Sequence, residues 1–598
     1  MIELSWNPRK TYADRLHRAQ ISLALLNRRD GVLANVRFVV FMAGVALGAL
    51  VWLAESITGH WLIVPIVAFM ALAVYHERVI QRRDRAKAIT AFYDRAMARL
   101  DGRWPGTGNK GDHLVPADHL YADDLDLFGH GSLFELLCTT RTRSGEETLA
   151  KWLCRPANAE EIAARQEAVT ELRSNLDLRE RLALVGGEVR AGVFPDDLVA
   201  WATRSPSLSS PVVHGIALSL SLAAIAALVG WLLASTSLLW LALVALVELG
   251  FLRWVQARLR EATGAADEPM RELDVLVPAL QLLEEQPFES DRLATLKLAL
   301  SVEGKPASRR IAHLRRLLLW LDARRNQFFA PLAFVLLWDV HFGFAIERWR
   351  KINGEHVRQW LDAIGEMEAL CALSAYAYEH PDDTFPEIVA DEAIYEGVGL
   401  GHPLLPEKEC MRNDVRLDTD SALLIVSGSN MSGKSTLLRT VGINAVLAYC
   451  GGPVCATSLH LTRFALGASL STHDSIQEGT SRFYAEIKRL HHVMELTSGD
   501  LPVLFLLDEI LHGTNSHDRR IGAVAVLKGL LSQGALGLVT THDLALTEVE
   551  AMFDGRAANV HFIDHLEGDR LAFDYQMHEG VVQRSNALAL MRAVGLQV

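Results

Sequence analysis

The sequence predicts a multidomain fold, in which an α-helical core carries transmembrane helical hairpins and precedes a C-terminal α/β domain. Three observations predict it. Four apolar runs occur in two closely spaced pairs. Helix-periodic segments, with apolar residues at three–four spacing, surround these pairs. From about residue 391 the pattern changes to short apolar strands that alternate with helices, which is typical of an α/β domain.

The paired apolar runs cover residues 38–54 and 61–75, then 212–234 and 237–252. A helix needs roughly 17–25 residues to cross a hydrocarbon core of about 30 Å, and each run is near that length. A buried core helix is the alternative for each run, but two close pairs favour two transmembrane hairpins. The hairpins divide the chain into predicted segments: 1–35 (N-terminal), 36–76 (first hairpin), 77–204 (first part of the core), 212–252 (second hairpin), 255–390 (second part of the core) and 391–598 (α/β domain).

Basic residues predict the orientation of both hairpins. The segments that flank the hairpins are rich in arginine and lysine, whereas the two short connectors inside them contain neither. Positive charge favours the cytoplasmic side of a membrane, so each hairpin should enter from the cytoplasm and return to it. We therefore expect a multi-pass protein of the cytoplasmic (inner) membrane, with its core and α/β domain in the cytoplasm and the lipid bilayer as a partner.

Two apolar segments contain charged residues. Glu248 lies in the last run; an acid inside a membrane is functional by default, but a position one turn from Arg253 also suits the headgroup level. The segment 328–346 contains Asp339 and His341, which favours a buried helix of the soluble body over a fifth span.

Composition excludes some classes of protein. A formal net charge of -13 argues against a protein built mainly to coat nucleic acid, although it leaves room for a local basic groove. The six cysteines show no paired C-x-x-C spacing with histidines, so we expect no structural zinc and a reducing compartment.

A glycine-rich motif dominates the last third of the chain. An apolar run at 423–426 precedes residues 428–435, which fit G-x-x-x-x-G-K-[ST], and a helix-periodic segment follows. In that context backbone N–H groups and the helix N-terminus can bind phosphate. Lys434 would reach the β- and γ-phosphates of ATP, and Ser435 would bind Mg²⁺. The predicted nucleotide-binding residues are Gly428, Ser429, Asn430, Met431, Ser432, Gly433, Lys434, Ser435 and Thr436.

Polar residues follow two later apolar strands. Residues 503–507 precede Asp508, a second Mg²⁺ ligand, and Glu509, which could orient and deprotonate the attacking water. Residues 538–541 precede His542, which could sense the γ-phosphate; a histidine with only a local loop role is the alternative. Lys434, Glu509 and His542 are thus the predicted catalytic residues, with Ser435 and Asp508 as metal ligands.

The order of these motifs resembles the MutS family within the wider ABC class of ATPases. Ser427 to Thr436 (SGSNMSGKST) looks like the family loop G-P-N-M-G-G-K-S-T, with serines at 429 and 432 replacing proline and glycine. The stretch 508–514 looks like the family block D-E-I-x-x-G-T. Ser481, in Gly-Thr-Ser-Arg-Phe, stands where the family has a signature serine, and the segments 541–542 and 558–561 match further family positions.

The resemblance extends to the helical core. Segments around 127–134, 142–153 and 365–370 look like its start and its return, so that the similarity covers about 120–205 and 355–598. Nothing resembles the mismatch-recognition or connector domains, and the family's adenine-stacking aromatic falls near Met411. Without the recognition domain, mismatch sensing by the usual route is not expected.

The resemblance implies a homodimeric P-loop ATPase that uses ATP and Mg²⁺. Each nucleotide site would be completed by Ser481 of the other copy, and closing and opening of the dimer would move the helical arms. DNA, bound without mismatch specificity, is a possible partner. The alternative is an ABC-type ATPase that drives a membrane process without binding DNA.

Overall fold

The computed structural model describes residues 7–53, 58–116, 118–185, 195–234, 237–263, 269–390, 392–429, 432–470, 482–511, 514–542, 552–553, 555–567 and 570–582. The chain divides into two compact units. The first comprises Met1–Thr107 and Leu176–Val189, and the second comprises Gly108–Asn175 and Arg190–Val598.

Helices dominate the chain before residue 380. Their bounds are α1 Pro8–Leu53, α2 Ile63–Leu100, α3 Leu133–Leu137, α4 Arg143–Cys154, α5 Ala159–Ser174, α6 Leu176–Ala183, α7 Pro195–Thr203, α8 Pro211–Ala234, α9 Leu238–Thr263, α10 Pro269–Glu285, α11 Asp291–Ala299, α12 Ala307–Asp322, α13 Ala330–Val335 and α14 Trp338–Glu379. A short hairpin of β1 Ser301–Val302 and β2 Lys305–Pro306 lies between α11 and α12.

Strands and helices alternate after residue 386. The strands are β3 Glu387–Val389, β4 Tyr395–Leu400, β5 Asn413–Leu417, β6 Leu423–Ser427, β7 Ser458–Thr462, β8 Ala465–Ser469, β9 Val503–Leu507, β10 Leu536–Thr541, β11 Ala557–Glu567 and β12 Arg570–Glu579. The helices are α15 Lys434–Cys450, α16 Arg482–Glu495 and α17 Ser516–Ser532.

In the first unit, α1 and α2 form a long antiparallel hairpin. Asp30 of α1 contacts His76 and Arg83 of α2, each at 2.7 Å, and the rings of Phe41 and Phe69 pack 6.2 Å apart further along. Both helices run unbroken through residues 36 and 76, where we predicted the ends of the first hairpin. Residues 8–35 of the predicted N-terminal segment are therefore the beginning of α1.

Four helices of the described chain are long and apolar enough to cross a membrane, judged by length and composition only. They are Pro8–Leu53, Gly59–Leu100, Pro211–Leu233 and Leu238–Thr263. Each of these helices contains most or all of one predicted run. Within the second hairpin the side chain of Glu248 is 1% exposed, and its Oε1 has no hydrogen-bond partner in the described residues. A carboxylate solvated among lipid headgroups, the alternative we considered for Glu248, does not fit this enclosure.

The core of the second unit is built along α14, a helix of 42 residues against which α4, α5 and α7 pack. Gly365 of α14 lies so close to Ser144 of α4 that a Cβ atom would come within 2.7 Å of the Ser144 carbonyl oxygen. The side chain of Glu368 accepts hydrogen bonds from the Thr142 hydroxyl at 2.6 Å and the Thr142 N–H at 3.1 Å. The two core segments singled out in the sequence are thus in direct contact.

Burial raises the pKa of Glu368 to about 7, although the bonds from Thr142 and the N–H of Arg141 oppose this shift. A carboxyl with a raised pKa in the folded state stabilises the fold fully below its unfolded pKa, near 4.5, and this contribution is lost as pH rises towards 7. We expect Glu368→Gln to gain stability relative to wild type by about 2–3 kcal/mol across that window. Thermal unfolding of both proteins at a series of pH values measures the difference; parallel profiles would contradict the assignment.

The prediction of one buried helix over 328–346 is wrong. The segment forms α13 and the start of α14, separated by Leu337 in the left-handed region at φ 46°. Phe328 is 96% exposed, and Leu332 is also exposed. Asp339 is partly exposed and forms an ion pair with Arg324.

The α/β domain contains a six-stranded sheet with the order β12-β11-β6-β10-β9-β8. β11, β6, β10, β9 and β8 are parallel, and only β12 is antiparallel to its neighbour. A second sheet has the order β3-β7-β4-β5. The fully buried strands β6 and β9 explain the continuous apolar runs of the sequence, because parallel strands are covered on both faces.

Candidate functional site

The glycine loop joins the carboxyl end of β6 to the first turn of α15. Gly428 has φ 149° and Gly433 has φ 104°, a region that side chains rarely adopt. A Cβ atom on Gly428 would lie 2.8 Å from Oγ of Ser432. Both glycines of the motif are therefore required by the path of the backbone, and the helix that follows directs its N-terminal N–H groups towards the loop.

Lys434 folds back across this loop. Its Nζ donates to the carbonyl oxygens of Gly428 and Ser429, each at 2.9 Å, and the side chain is buried. Burial lowers the pKa of Lys434, while the negative charges of Glu509 and Asp508 act in the opposite direction. To bind a phosphate, Nζ of Lys434 would have to exchange these two carbonyl oxygens for phosphate oxygens.

The hydroxyl groups of the loop differ in their surroundings. Ser432 donates to the Ser429 carbonyl oxygen at 2.8 Å. Oγ of Ser429 is buried and has no hydrogen-bond partner among the described residues. Ser435 is half-buried and Thr436 is exposed, both in the first turn of α15. The predicted residues Asn430 and Met431 lie outside the described residues.

The parallel sheet brings the second motif to the loop. β10 pairs with β6 on one side and with β9 on the other, so the carboxyl ends of all three strands lie along one edge. The loop follows β6, the acidic pair follows β9 and His542 follows β10. Ligands bind at this edge in open α/β sheets. The predicted strand ends at 507 and 541 are confirmed.

Hydrogen bonds organise the acidic pair. The hydroxyl of Thr540 donates to the Asp508 carboxylate and accepts from the Glu509 N–H at 3.0 Å. Glu509 has φ 47°, a strained conformation for a side chain of this size, and its Oε1 lies 3.3 Å from Nδ1 of His542. Glu509 and His542 are both partly exposed, so they can meet a ligand at the edge of the sheet.

Ser481 lies outside the described residues, as do His512 and Gly513 of the stretch 508–514. The helix α16 begins directly after Ser481. Glu486 of α16 is buried and accepts from the N–H of Leu511, three residues after Asp508. This hydrogen bond connects α16 to the residues that follow Asp508 and Glu509 in the same chain.

The same helix contacts the start of the helical core. Arg489 forms an ion pair with Asp124 at 2.6 Å and donates to the carbonyl oxygens of Ala468 and His119. The N–H of Leu470 donates to Asp124 at 2.8 Å. These bonds join the core to the strand that leads towards Ser481.

Three site residues were not predicted from the sequence: Thr540, Glu486 and Tyr575. Tyr575 has φ 53°, and its Cδ1 lies 3.2 Å from the position of a Cβ atom on Gly433. Asn413 secures this bend through the carbonyl oxygen of Tyr575 and the N–H of Met577. Met411, near which we placed the adenine contact, is 42% exposed.

The sheet and the loop define the class of this domain. It is an α/β domain in which a glycine loop lies at the carboxyl edge of a parallel sheet. Comparison with protein families gives the particular family. The model of MutS domain V matches residues 424–597, and that of MutS domain III matches residues 120–196. These two matches support membership of the chain in the MutS family.

Known proteins are similar over part of the chain. Endonuclease MutS2 of Thermus thermophilus is 31% identical over 248 residues, which are 41% of this chain and 32% of that protein. The DNA mismatch repair protein MutS of Thermotoga maritima is 28% identical over 245 residues, 40% of this chain and 30% of that protein. Endonuclease MutS2 of an Anaeromyxobacter species is 34% identical over 209 residues, which are 34% of this chain and 25% of that protein. The matched part thus spans about a third or less of each of these relatives.

Proposed function

We propose that this protein is a membrane-anchored MutS-type ATPase. It binds ATP with Mg²⁺ and hydrolyses it at sites shared by two copies, and the nucleotide state moves the helical arms. The observation that carries the proposal is the meeting of Lys434, Asp508, Glu509 and His542 at one edge of the parallel sheet. The uncommitted Ser429 hydroxyl and the glycine loop fit the oxygen-rich phosphates of a nucleotide.

Each side chain has a defined role in this proposal. Lys434 would exchange loop carbonyls for phosphate oxygens, while Ser435 and Asp508 would hold Mg²⁺. Bound MgATP supplies the phosphoryl group and the charge of the metal. Glu509 accepts a proton from the attacking water, and His542 orients the Glu509 carboxylate from 3.3 Å. Thr540 fixes the separation of the two acids because its hydroxyl contacts both residues.

The dimer is inferred from the resemblance to the family. Ser481 of one copy would complete the site of the other, at the N-terminus of α16, where N–H groups favour an anion. The bonds from α16 to Leu511 and Asp124 support coupling, because a shift of α16 would reach both the acidic loop and the start of the core.

Membrane residence has its own test. The full chain should sediment with membranes and resist extraction by carbonate or high salt, because four apolar helices are available to insert. A variant that lacks 36–76, with a short linker in their place, should remain anchored through 212–252. A soluble, monodisperse full-length protein in the absence of detergent would refute the anchoring proposal.

DNA binding separates this proposal from the alternative of an ABC-type ATPase that acts only on a membrane process. A DNA clamp neutralises phosphates, so its affinity should fall with a log–log salt slope of about -0.9 per contact. We expect binding of linear duplex DNA by the detergent-solubilised chain to weaken steeply between low and physiological salt. If no binding is found at low salt, the membrane-only alternative replaces the DNA version.

A further inference from the structure

The second unit has an apolar surface outside its two long apolar helices, α8 and α9. Its exposed members come from the end of α12, the following loop and α13: Leu319, Trp320, Phe328 and Leu332. Trp320 is 52% exposed and Phe328 is 96% exposed. We call the segment from Leu319 to Phe342 the aromatic segment.

The aromatic segment is an ordered cluster. The Trp338 ring lies 6.0 Å from that of Trp320, 5.0 Å from Phe329 and 4.6 Å from Phe342. Nε1 of Trp338 also donates to the Trp320 carbonyl oxygen at 2.7 Å. These contacts hold the rings of Trp320 and Phe329 in place, and the N–H of Phe328 donates to Oδ1 of Asn326 at 2.9 Å.

This cluster is attached to the second hairpin. The hydroxyl of Ser221, in α8, donates to the Leu336 carbonyl oxygen at 3.0 Å. Leu337 and Val340 belong to one buried cluster with residues of both hairpin helices, among them Ala217 and Phe251. The aromatic segment is therefore fixed at a defined position along the second hairpin.

That position can be expressed as a distance from the connector of the hairpin. Ser221 lies thirteen residues before Ala234, the end of α8, which is about 20 Å at 1.5 Å per residue. Arg253 lies fifteen residues after Leu238, the start of α9, which is about 22 Å. Arg253 is the first basic residue after the connector. Because the hydrocarbon core of a bilayer is about 30 Å thick, Ser221 lies about 10 Å inside its cytoplasmic boundary with the headgroups if the hairpin spans the bilayer, so the aromatic segment is attached near that boundary.

The charges of the segment suit that position. Arg324 and Arg325 follow α12 directly, between Trp320 and Phe328, and pair with Asp339 and Asp322. Tryptophan and arginine both favour the boundary between hydrocarbon and headgroups, since each combines an apolar body with a polar end.

We propose that the aromatic segment is a bilayer-binding surface that lies beside the second hairpin at the cytoplasmic boundary between hydrocarbon and headgroups. The proposal rests on the insertion of that hairpin. The segment leads directly into α14, which is about 63 Å long and carries Glu368 in the contact with α4. Lipid contact at its start would fix the angle of α14 to the membrane, so that a movement of the core becomes a movement against the bilayer.

Lipid quenching of single fluorescent probes tests the surface. The full chain is reconstituted in bilayers of phosphatidylcholine and phosphatidylglycerol that carry a nitroxide either near the headgroup or at mid-chain. An environment-sensitive dye is attached to Phe328→Cys, to Leu246→Cys in α9 or to Leu298→Cys in α11. Leu298 is the matched control, because it is an exposed apolar residue on a helix bonded to α14 at Glu366, about 42 Å along α14 from Trp338. The unsubstituted chain gives the background from its six cysteines.

We expect the probe at 328 to be quenched at least twofold more by the shallow nitroxide than by the deep one, the probe at 246 to show the reverse, and the probe at 298 to be unaffected. Quenching at 246 without quenching at 328 would overturn the surface and leave the hairpin intact. Absence of quenching at 246 would overturn the insertion itself. A probe at 328 that is shielded from water but not quenched by either lipid would show that protein covers the segment, which also refutes the proposal.

Discussion

Mixing two inactive variants of this protein is expected to restore ATP hydrolysis. Lys434→Ala removes the ammonium from the glycine loop, and Ser481→Arg places a bulky cation at the signature position of the partner's site. Each heterodimer then has one site with both defects and one with neither. If the sites are composite, the intact one should provide up to half of the hydrolytic capacity of a wild-type dimer.

The experiment requires proof that subunits exchange, which differently tagged chains and co-purification can give. Each variant incubated alone for the same time is the control. If exchange occurs and hydrolysis is not restored, Ser481 does not act on the partner's site. A role limited to capping α16 makes a different prediction, since Ser481→Arg would then be active without any mixing.

Much of the α/β domain could be predicted because its signals are local. The apolar runs at 423–426 and 503–507 are β6 and β9, and the glycine at 451 ends α15 in a left-handed conformation. Each of these depends on residues within a few positions. The meeting of the loop with the acidic pair could also be expected, because parallel strands place their carboxyl ends at one edge.

Contacts over long sequence separations could not be predicted in the same way. Thr540 and Glu486 are single polar residues on a strand and a helix, and nothing near them in the sequence names Asp508 or Leu511 as a partner. Tyr575 reaches the loop through a bend that Asn413 secures, more than 160 residues away. Such bonds are specified by the tertiary fold.

The boundary that we predicted from the change of polarity at residue 36 is not the end of a helix. The arginine-rich residues before 36 contrast with the apolar run after it, but a change of polarity does not end a helix. α1 contains no proline after Pro8 and Gly31 does not interrupt it, so the helix continues through Asn35. In 328–346 the charges of Asp339 and His341 favoured a buried helix of the soluble body, yet they did not reveal that the flanking aromatic residues would remain at the surface.

Glu509→Gln is expected to retain MgATP binding and to lose turnover by about 10²–10⁴-fold, because the amide cannot accept the proton of the attacking water. Glutamine keeps the size of the side chain and can still contact His542, and the N–H of residue 509 still donates to Thr540. Lys434→Ala is the contrasting variant, because loss of the ammonium at the loop should weaken binding itself.

The most direct test of a hydrolytic site at this edge of the sheet compares MgATP binding and turnover for wild type, Glu509→Gln and Lys434→Ala, all reconstituted in the same lipid. The account predicts wild-type affinity with almost no turnover for Glu509→Gln, and reduced affinity for Lys434→Ala. Hydrolysis by Glu509→Gln at the wild-type rate would contradict it.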